Sequence, residues 1–269
     1  SWEQSRLRAQ FERDSSHLSG LLRKRLEEQV DMVRSIERLL LASDHVSRDD
    51  FREFVAPWMR NHPGTRSFTW NRHVPHAVRT AFEQEMREEH LVDYRILDRD
   101  ASGRTHLAAT RSEYFPVIHV EPEEGNRTVL GMDPLSFPIA GEAIERSRSS
   151  GQPAVSARLR LVQEPREPYA VVLYQAVFAT AEDASTRVPL GLVSAALGMD
   201  DLLAPISGQA AAQGIALQLT DQGAEDAPAL LAGGDRAKDS VWPDEALTHT
   251  VRIDFAGRVV ESSDARYHP

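Results

Sequence analysis

Between residues 2 and 42, apolar side chains recur at Leu7, Phe11, Leu18, Leu22, Leu26, Val30, Val33, Ile36 and Leu40. Steps of mostly three or four place them on one face, so the spacing predicts a single long amphipathic helix. The Arg, Glu, Lys and Gln residues between them are good helix formers that keep the opposite face in water. At about 1.5 Å per residue such a helix reaches about 60 Å, more than a compact domain of this size needs. It therefore packs lengthwise against its own domain, against a second copy of the chain, or both.

A fresh helix start follows at Val46-Ser47-Arg48-Asp49-Asp50-Phe51. Ser47 is the N-cap, acidic residues fill the first turn, and Val46 can staple against Phe51. This helix is expected to stop before Pro63-Gly64. The hydrophobic period then drops to two. Strands are expected at residues 66–74, 94–98 and 114–120, with a short helix at 77–89 and a turn at Asp100-Ala101-Ser102-Gly103. Residues 138–150 read as a helix closed by Gly151.

Residues 157–162 and 169–178 form two β-rich runs around a proline-stiffened loop, a hairpin pattern, and residues 180–187 look like a linker. A strand at 190–199, a helix at 201–212 and strands at 215–220 and 248–255 complete the series. Helices first, then strands mixed with short helices, predict an α+β fold rather than a doubly wound parallel sheet. The diluted apolar pattern at residues 180–188 marks the expected boundary between two small sheets, and no internal sequence repeat is visible.

With 269 residues, 41% of them hydrophobic and 27% charged, the chain has the composition of a globular protein able to bury a core. A formal charge of −10 repels phosphate backbones and anionic lipid, which argues against nucleic acid as a partner. The absence of cysteine removes disulfides, thiolate metal sites and thiol nucleophiles together. The longest nearly apolar stretch, residues 190–199, falls short of the ~20 residues a membrane span requires. Ser1 is followed at once by amphipathic helix, so the chain reads as a fragment of a longer protein.

Candidate chemistry is sparse. His73 and His76 sit three apart with Pro75 between them, which makes them ordinary surface histidines rather than metal ligands. His119 and Glu121 share a strand face and read as rim residues. Asp98, Asp100 and Ser102 alternate before Gly103, but the glycine comes one place early for a calcium loop, so a β-turn is expected. Asn126-Arg127-Thr128 fits a glycosylation sequon. No phosphate loop, His-Glu-x-x-His or nucleophile elbow is present. A carboxylate pair such as Glu121 with Asp133 is the remaining catalytic alternative, although Asp133 fits better as a turn tether.

The segment Tyr114-Phe115-Pro116-Val117-Ile118-His119-Val120-Glu121-Pro122, then Asn126, then Leu130-Gly131-Met132-Asp133-Pro134-Leu135-Ser136, resembles the CHASE sensory domain. The resemblance continues upstream through Phe68-Thr69-Trp70-Asn71-Arg72-His73-Val74-Pro75, Arg79 and Phe82. Downstream it continues through the helix before Gly151, Arg158-Leu159-Arg160-Leu161 and residues 171–178, so that it covers residues 66–199. It implies a long N-terminal helix followed by two PAS-like antiparallel sheets in tandem. The implied organisation is a helical stalk at residues 1–62, a membrane-distal ligand-binding subdomain at 63–180 and a membrane-proximal one at 181–269. Transmembrane helices would flank the fragment.

The resemblance also implies the site. Pro134, Ala140, Val155, Ser156, Val162, Val172 and Tyr174 are its expected ligand-facing positions. In the plant cytokinin receptors of this family a purine-binding aspartate stands where Ala140 stands here. A methyl group cannot accept a purine's hydrogen bonds, and each buried donor left unpaired costs about 1–3 kcal/mol, so cytokinin is disfavoured. Tyr174 replaces a small threonine and narrows the cavity, while Ser156 takes the place of another threonine. The expectation is a non-catalytic extracytoplasmic sensor of an inner-membrane receptor, without cofactor, recognising a small molecule and pairing as a homodimer through its first helix. A dimerisation module without a ligand is the alternative.

Overall fold

The 3–4 spacing of the first forty residues folds as one unbroken helix, α1 (Trp2–Ala42), whose N-cap Ser1 forms a reciprocal capping box with Gln4. The computed structural model describes residues 1–89, 91–159, 169–225, 229–233 and 246–266. From Phe11 onward the apolar stripe of α1 is buried within the chain, whereas Trp2 and Leu7 are exposed. Ser15, Ser19 and Gln29 occupy the same buried stripe. Helix α2 (Arg48–Asn61) begins as its sequence signals: the Ser47 hydroxyl accepts from the Asp50 amide, the Asp50 carboxylate accepts from the Ser47 amide, and Phe51 and Val55 are buried.

The next elements in chain order are β1 (Thr65–Arg72), β2 (Val74–Pro75), α3 (Arg79–Glu88), β3 (Leu97–Arg99), β4 (Thr105–Leu107), β5 (Glu113–Tyr114) and β6 (Val117–Glu121). They are followed by α4 (Pro138–Ser150), β7 (Ala154–Val155), β8 (Ala170–Val177), α5 (Ala181–Thr186), β9 (Gly191–Gly198) and α6 (Met199–Ala212). The last four strands are β10 (Ile215–Asp221), β11 (Ala229–Gly233), β12 (Leu247–Phe255) and β13 (Arg258–Arg266). A five-stranded antiparallel sheet has the order β6-β1-β9-β8-β7, and a four-stranded one the order β11-β10-β13-β12. The chain is thus α+β, a long helix followed by two PAS-like sheets in tandem.

Several expected elements change in detail. The linker-like residues contain the short helix α5, whose N-cap Thr180 accepts from the Asp183 amide at 3.0 Å. Strand β9, assigned by its position to the second subdomain, instead lies in the middle of the first sheet, bonded to β1 and β8 and buried along its whole length. The polar composition at 180–188 reflects an exposed connection between two strands of one sheet, so the sheets divide after Gly198. The expected strand at 114–120 is broken at Phe115-Pro116 into β5 and β6. Of the expected hairpin strand at 157–162, Leu159 bridges Ala170, and residues 160–162, including Val162, lie outside the described residues.

One continuous core runs along α1 from Phe11 onward. Phe68, Leu173 and Val193 from the first sheet and Leu217, Ile253 and Phe255 from the second meet its buried stripe, with Leu202 and Ile206 of α6 between them. The β12–β13 hairpin closes on Ala256 (φ 46°) and Gly257 (φ 84°), the two left-handed residues of a tight two-residue turn. No helix among the described residues is long and apolar enough to cross a membrane.

Candidate ligand-binding site

Period-two alternation divides the first sheet into two faces with different tasks. On β8, Val171, Leu173 and Val177 face the α1 core, while Val172 and Tyr174 face the other way. On β9, Val193 and Leu197 face α1, and Ser194 and Ala196 the opposite side. Helix α4 covers part of that second face through Ala140, Ala143 and Ile144, packed on Tyr174, Ala176 and Phe115. Where α4 begins, the cover is incomplete and leaves a cavity of about 290 Å³.

The floor of the cavity is polar and its walls are apolar. Thr69 and Asn71 of β1 and Ser194 of β9 form a hydroxyl–hydroxyl–amide chain, with Thr69 Oγ1 2.6 Å from Asn71 Oδ1 and in contact with Ser194 Oγ. The Asn71 amide donates to the Phe115 carbonyl at 2.9 Å, which fixes its orientation. Val117, Met132, Phe137 and Ile139 supply apolar wall. Arg99, the last residue of β3, is the one charged side chain among the described lining residues. Other, larger concavities are rimmed by several charged side chains: grooves of about 670 and 660 Å³ beside α1 and the loop that follows it, and one of about 440 Å³ between α4 and the β12–β13 turn. The smaller cavity has the lining that small-molecule recognition uses, mostly apolar with a few convergent polar groups.

The family-like motif holds the cavity wall in place. Asp133, fully buried, accepts from the Leu135 amide at 3.0 Å and the Phe115 amide at 3.2 Å, and its second oxygen takes a 2.7 Å bond from Arg111. Arg111 also binds both oxygens of Asp98 at 2.7 and 2.8 Å. Burial pushes the Asp133 carboxyl up against the pull of Arg111, whereas at Asp98 the arginine bonds outweigh burial and the carboxyl moves down. Gly131 has φ 82°, and a Cβ there would collide with the Arg95 carbonyl oxygen. Glycine is therefore required where residues 131–133 thread between Leu97 and Val117, bonded to both.

The structure brings Pro134, Ala140, Val172 and Tyr174 together around the cavity. Val155 is not among the lining residues. It pairs with Leu173, shares that residue's face and packs into the α1 core, so the inward-facing expectation for it fails on strand alternation. Ser156 is buried at the sheet edge, where its hydroxyl accepts from the Val172 amide at 3.0 Å and donates to the Ala157 carbonyl at 2.8 Å. It supports the wall without lining it. Sequence reasoning missed Arg99, Thr69, Asn71 and Ser194, although the alternation of β1 and β9 carried the signal for the last three.

The other singled-out polar residues are engaged elsewhere. His73 lies 2.8 Å from Glu113, and that bond, against burial and with help from Arg148, pulls the Glu113 carboxyl down to about 2. His76 bonds the Tyr114 hydroxyl at 2.9 Å. His119 bonds the Val46 carbonyl and lines the groove beside the loop after α1, and Glu121 is held by Arg52 of α2. Asp100 accepts from the Ser102 and Arg104 amides in the expected turn. Glu121 and Asp133 are each held by a different arginine, Arg52 and Arg111.

The chain is a two-sheet α+β domain with a small cavity at the start of a covering helix. Residues 44–232 match the CHASE domain profile, and the chain belongs to that family. A germination-specific adenylate cyclase of Dictyostelium discoideum is 22% identical over 165 residues, 61% of this chain and 19% of that protein. The hybrid signal transduction histidine kinase A of the same organism is 22% identical over 194 residues, 68% of this chain and 9% of that protein. The chain thus spans less than a fifth of either relative's length. Among solved structures, the ligand-binding domain of the Pseudomonas aeruginosa PAO1 amino acid chemoreceptor PctC in complex with GABA overlays with TM-score 0.49 and 11% identity, covering 93% of this chain and 95% of that one.

Proposed function

We propose that this chain is the extracytoplasmic ligand-sensing part of a transmembrane signalling receptor, and that a small molecule held in the cavity at the start of α4 sets its state. The observation that carries the reading is the cavity itself, about 290 Å³ between the sheet and α4, with a polar floor and apolar walls. Membership of a family whose matched relatives are named as a cyclase and a histidine kinase supports it. The chain recognises its ligand without transforming it, and the output lies in a cytoplasmic module of the whole protein.

The route of the signal follows from the two faces of β8 and β9. A ligand touching Val172, Tyr174, Ser194 and Ala196 presses on strands whose other face, through Val171, Leu173 and Val193, rests on α1. Helix α1 continues along the second sheet, and near its start Asp14 bonds Arg266 at the end of β13 at 3.0 Å. A ligand that prefers one packing of the first sheet on α1 therefore biases both terminal segments together, provided its affinity for the two states differs. The exposed Trp2 and Leu7 extend the stripe of α1 beyond its intrachain cover and are the surface through which two copies pair.

A thermal-shift screen of metabolites on the purified chain tests the reading, because a ligand of the folded state raises the melting temperature by mass action. A hit whose effect disappears in Ala140→Leu, which fills the cavity, is the expected result. Hits indifferent to that substitution would remove the cavity from the account.

A further inference from the structure

Arg99 is the feature of this cavity that the fold does not explain. Among the described residues its guanidinium has neither an ion pair nor a hydrogen bond, and its Nε is buried without a partner. The comparably sheltered Arg79, Arg111, Arg148 and Arg258 each hold a carboxylate. The acidic neighbours of Arg99 in sequence are committed elsewhere, Asp98 to Arg111 and Asp100 to the turn amides of Ser102 and Arg104. Burial alone pulls the guanidinium below its ordinary value, with no anion to offset it. A buried donor without an acceptor is costly, so an acceptor that enters the cavity and reaches this guanidinium gains by satisfying it.

Two further observations point at the same occupant. Tyr174 is 5% exposed and lines the cavity, yet its hydroxyl has no hydrogen-bond partner among the described residues. The first turn of α4 borders the cavity through Phe137, Ile139 and Ala140, and no side chain caps it, so its amide end favours negative charge there. No Asp or Glu is among the described lining residues to oppose an anion. The volume of about 290 Å³ limits the occupant to a small molecule.

We propose that the ligand is a small monocarboxylate whose carboxylate pairs with Arg99 while its short apolar body lies against Val172 and Ala140. This rests on the sensing role proposed above and adds the chemical class of the ligand. Arginine presents a planar fork that matches a carboxylate, and the uncharged floor of Thr69, Asn71 and Ser194 leaves the charge to be recognised at one point.

The test is calorimetric titration of the whole chain with matched acids and amides: isovalerate and isovaleramide, benzoate and benzamide, phenylacetate and phenylacetamide. At least one acid is expected to bind, with its amide weaker by about tenfold or more. Arg99→Gln is expected to abolish that preference while melting at the wild-type temperature, because the side chain holds nothing in the free fold. Arg99→Lys, which keeps the charge and loses the fork, is expected to fall between them. Failure of every acid to bind, equal affinity for acid and amide, or an undiminished acid preference in Arg99→Gln would each overturn the proposal. A neutral compound found by the thermal-shift screen that is blocked by Ala140→Leu but indifferent to Arg99→Gln would overturn the carboxylate assignment and leave the sensing role standing.

Discussion

Asp264, near the end of β13, offers a sharp energetic test of how the terminal segments are joined. Alternation along β13 puts it on the same buried face as Val260 and Ser262. There it faces Ser15 of α1, with His249 directly across on β12, and neither carboxylate oxygen has a well-formed hydrogen bond among the described residues. Burial pushes its carboxyl up from 3.8 to about 6. The folded value lies above the unfolded one, so the group costs nothing below about pH 4 and opposes folding increasingly as pH rises through 6. At ~1.4 kcal/mol per unit, the full penalty above that window is about 3 kcal/mol. Asp264→Asn removes the charge and nearly keeps the shape. In urea titrations the variant is expected to match the wild type at acid pH. Near pH 7.5 it should unfold later by about 1 M, taking a slope of ~3 kcal/mol per M. A stability gap equal at both pH values would show that the carboxylate is not desolvated, and would refute the placement of Asp264 against α1.

Four further outcomes follow from the site. Arg111→Ala leaves Asp133 and Asp98 without their shared cation and should cost about 3 kcal/mol in urea unfolding. Gly131→Ala must force a side chain into a left-handed position against the Arg95 carbonyl, so a loss of about 2 kcal/mol or more is expected in the same assay. Glu113 is held at about 2 by His73 and Arg148; its folded value lies below the unfolded one, so its stabilisation is present above pH 4.5 and lost as pH falls toward 2. Glu113→Gln should flatten that acid limb of the stability profile. Tyr174→Phe should melt within about 1 °C of the wild type, since no hydrogen bond is lost, yet weaken a carboxylate ligand severalfold, whereas Tyr174→Ala opens a hole in the core and costs about 3 kcal/mol.

The parts of this structure that were readable in the sequence are those set by local physics. The 3–4 stripe of α1, the Ser47–Asp50 capping box and the Gly151 stop of α4 need only neighbours within one or two turns. The Leu130-Gly131-Met132-Asp133 motif was readable as a family pattern, and the structure supplies its reason in a left-handed glycine and a carboxylate that ties two amides. Non-local pairing hid the rest. Strand β9 sits in the first sheet because β1, some 120 residues earlier, needs it as a partner, and no composition shift at 180–188 reveals that. Val155 belongs to a strand of two residues, too short for alternation to fix its face in advance. Arg99 is one of 31 basic residues, and only shelter from solvent combined with the lack of an ion pair or hydrogen bond to its guanidinium sets it apart.

In the proposed sensing role a molecule sits on the α4 side of the first sheet and is felt through it. Methyl-resolved NMR tests this directly, because Val172 and Val155 occupy adjacent strands with their side chains on opposite faces. On titration with a ligand from the thermal-shift screen, the Val172, Val117 and Val129 methyls are expected to shift in proportion to occupancy. The Val155 methyls should respond only as far as the sheet moves on α1. Large shifts at Val155 with Val172 unmoved, or shifts confined to the grooves beside α1, would contradict the account.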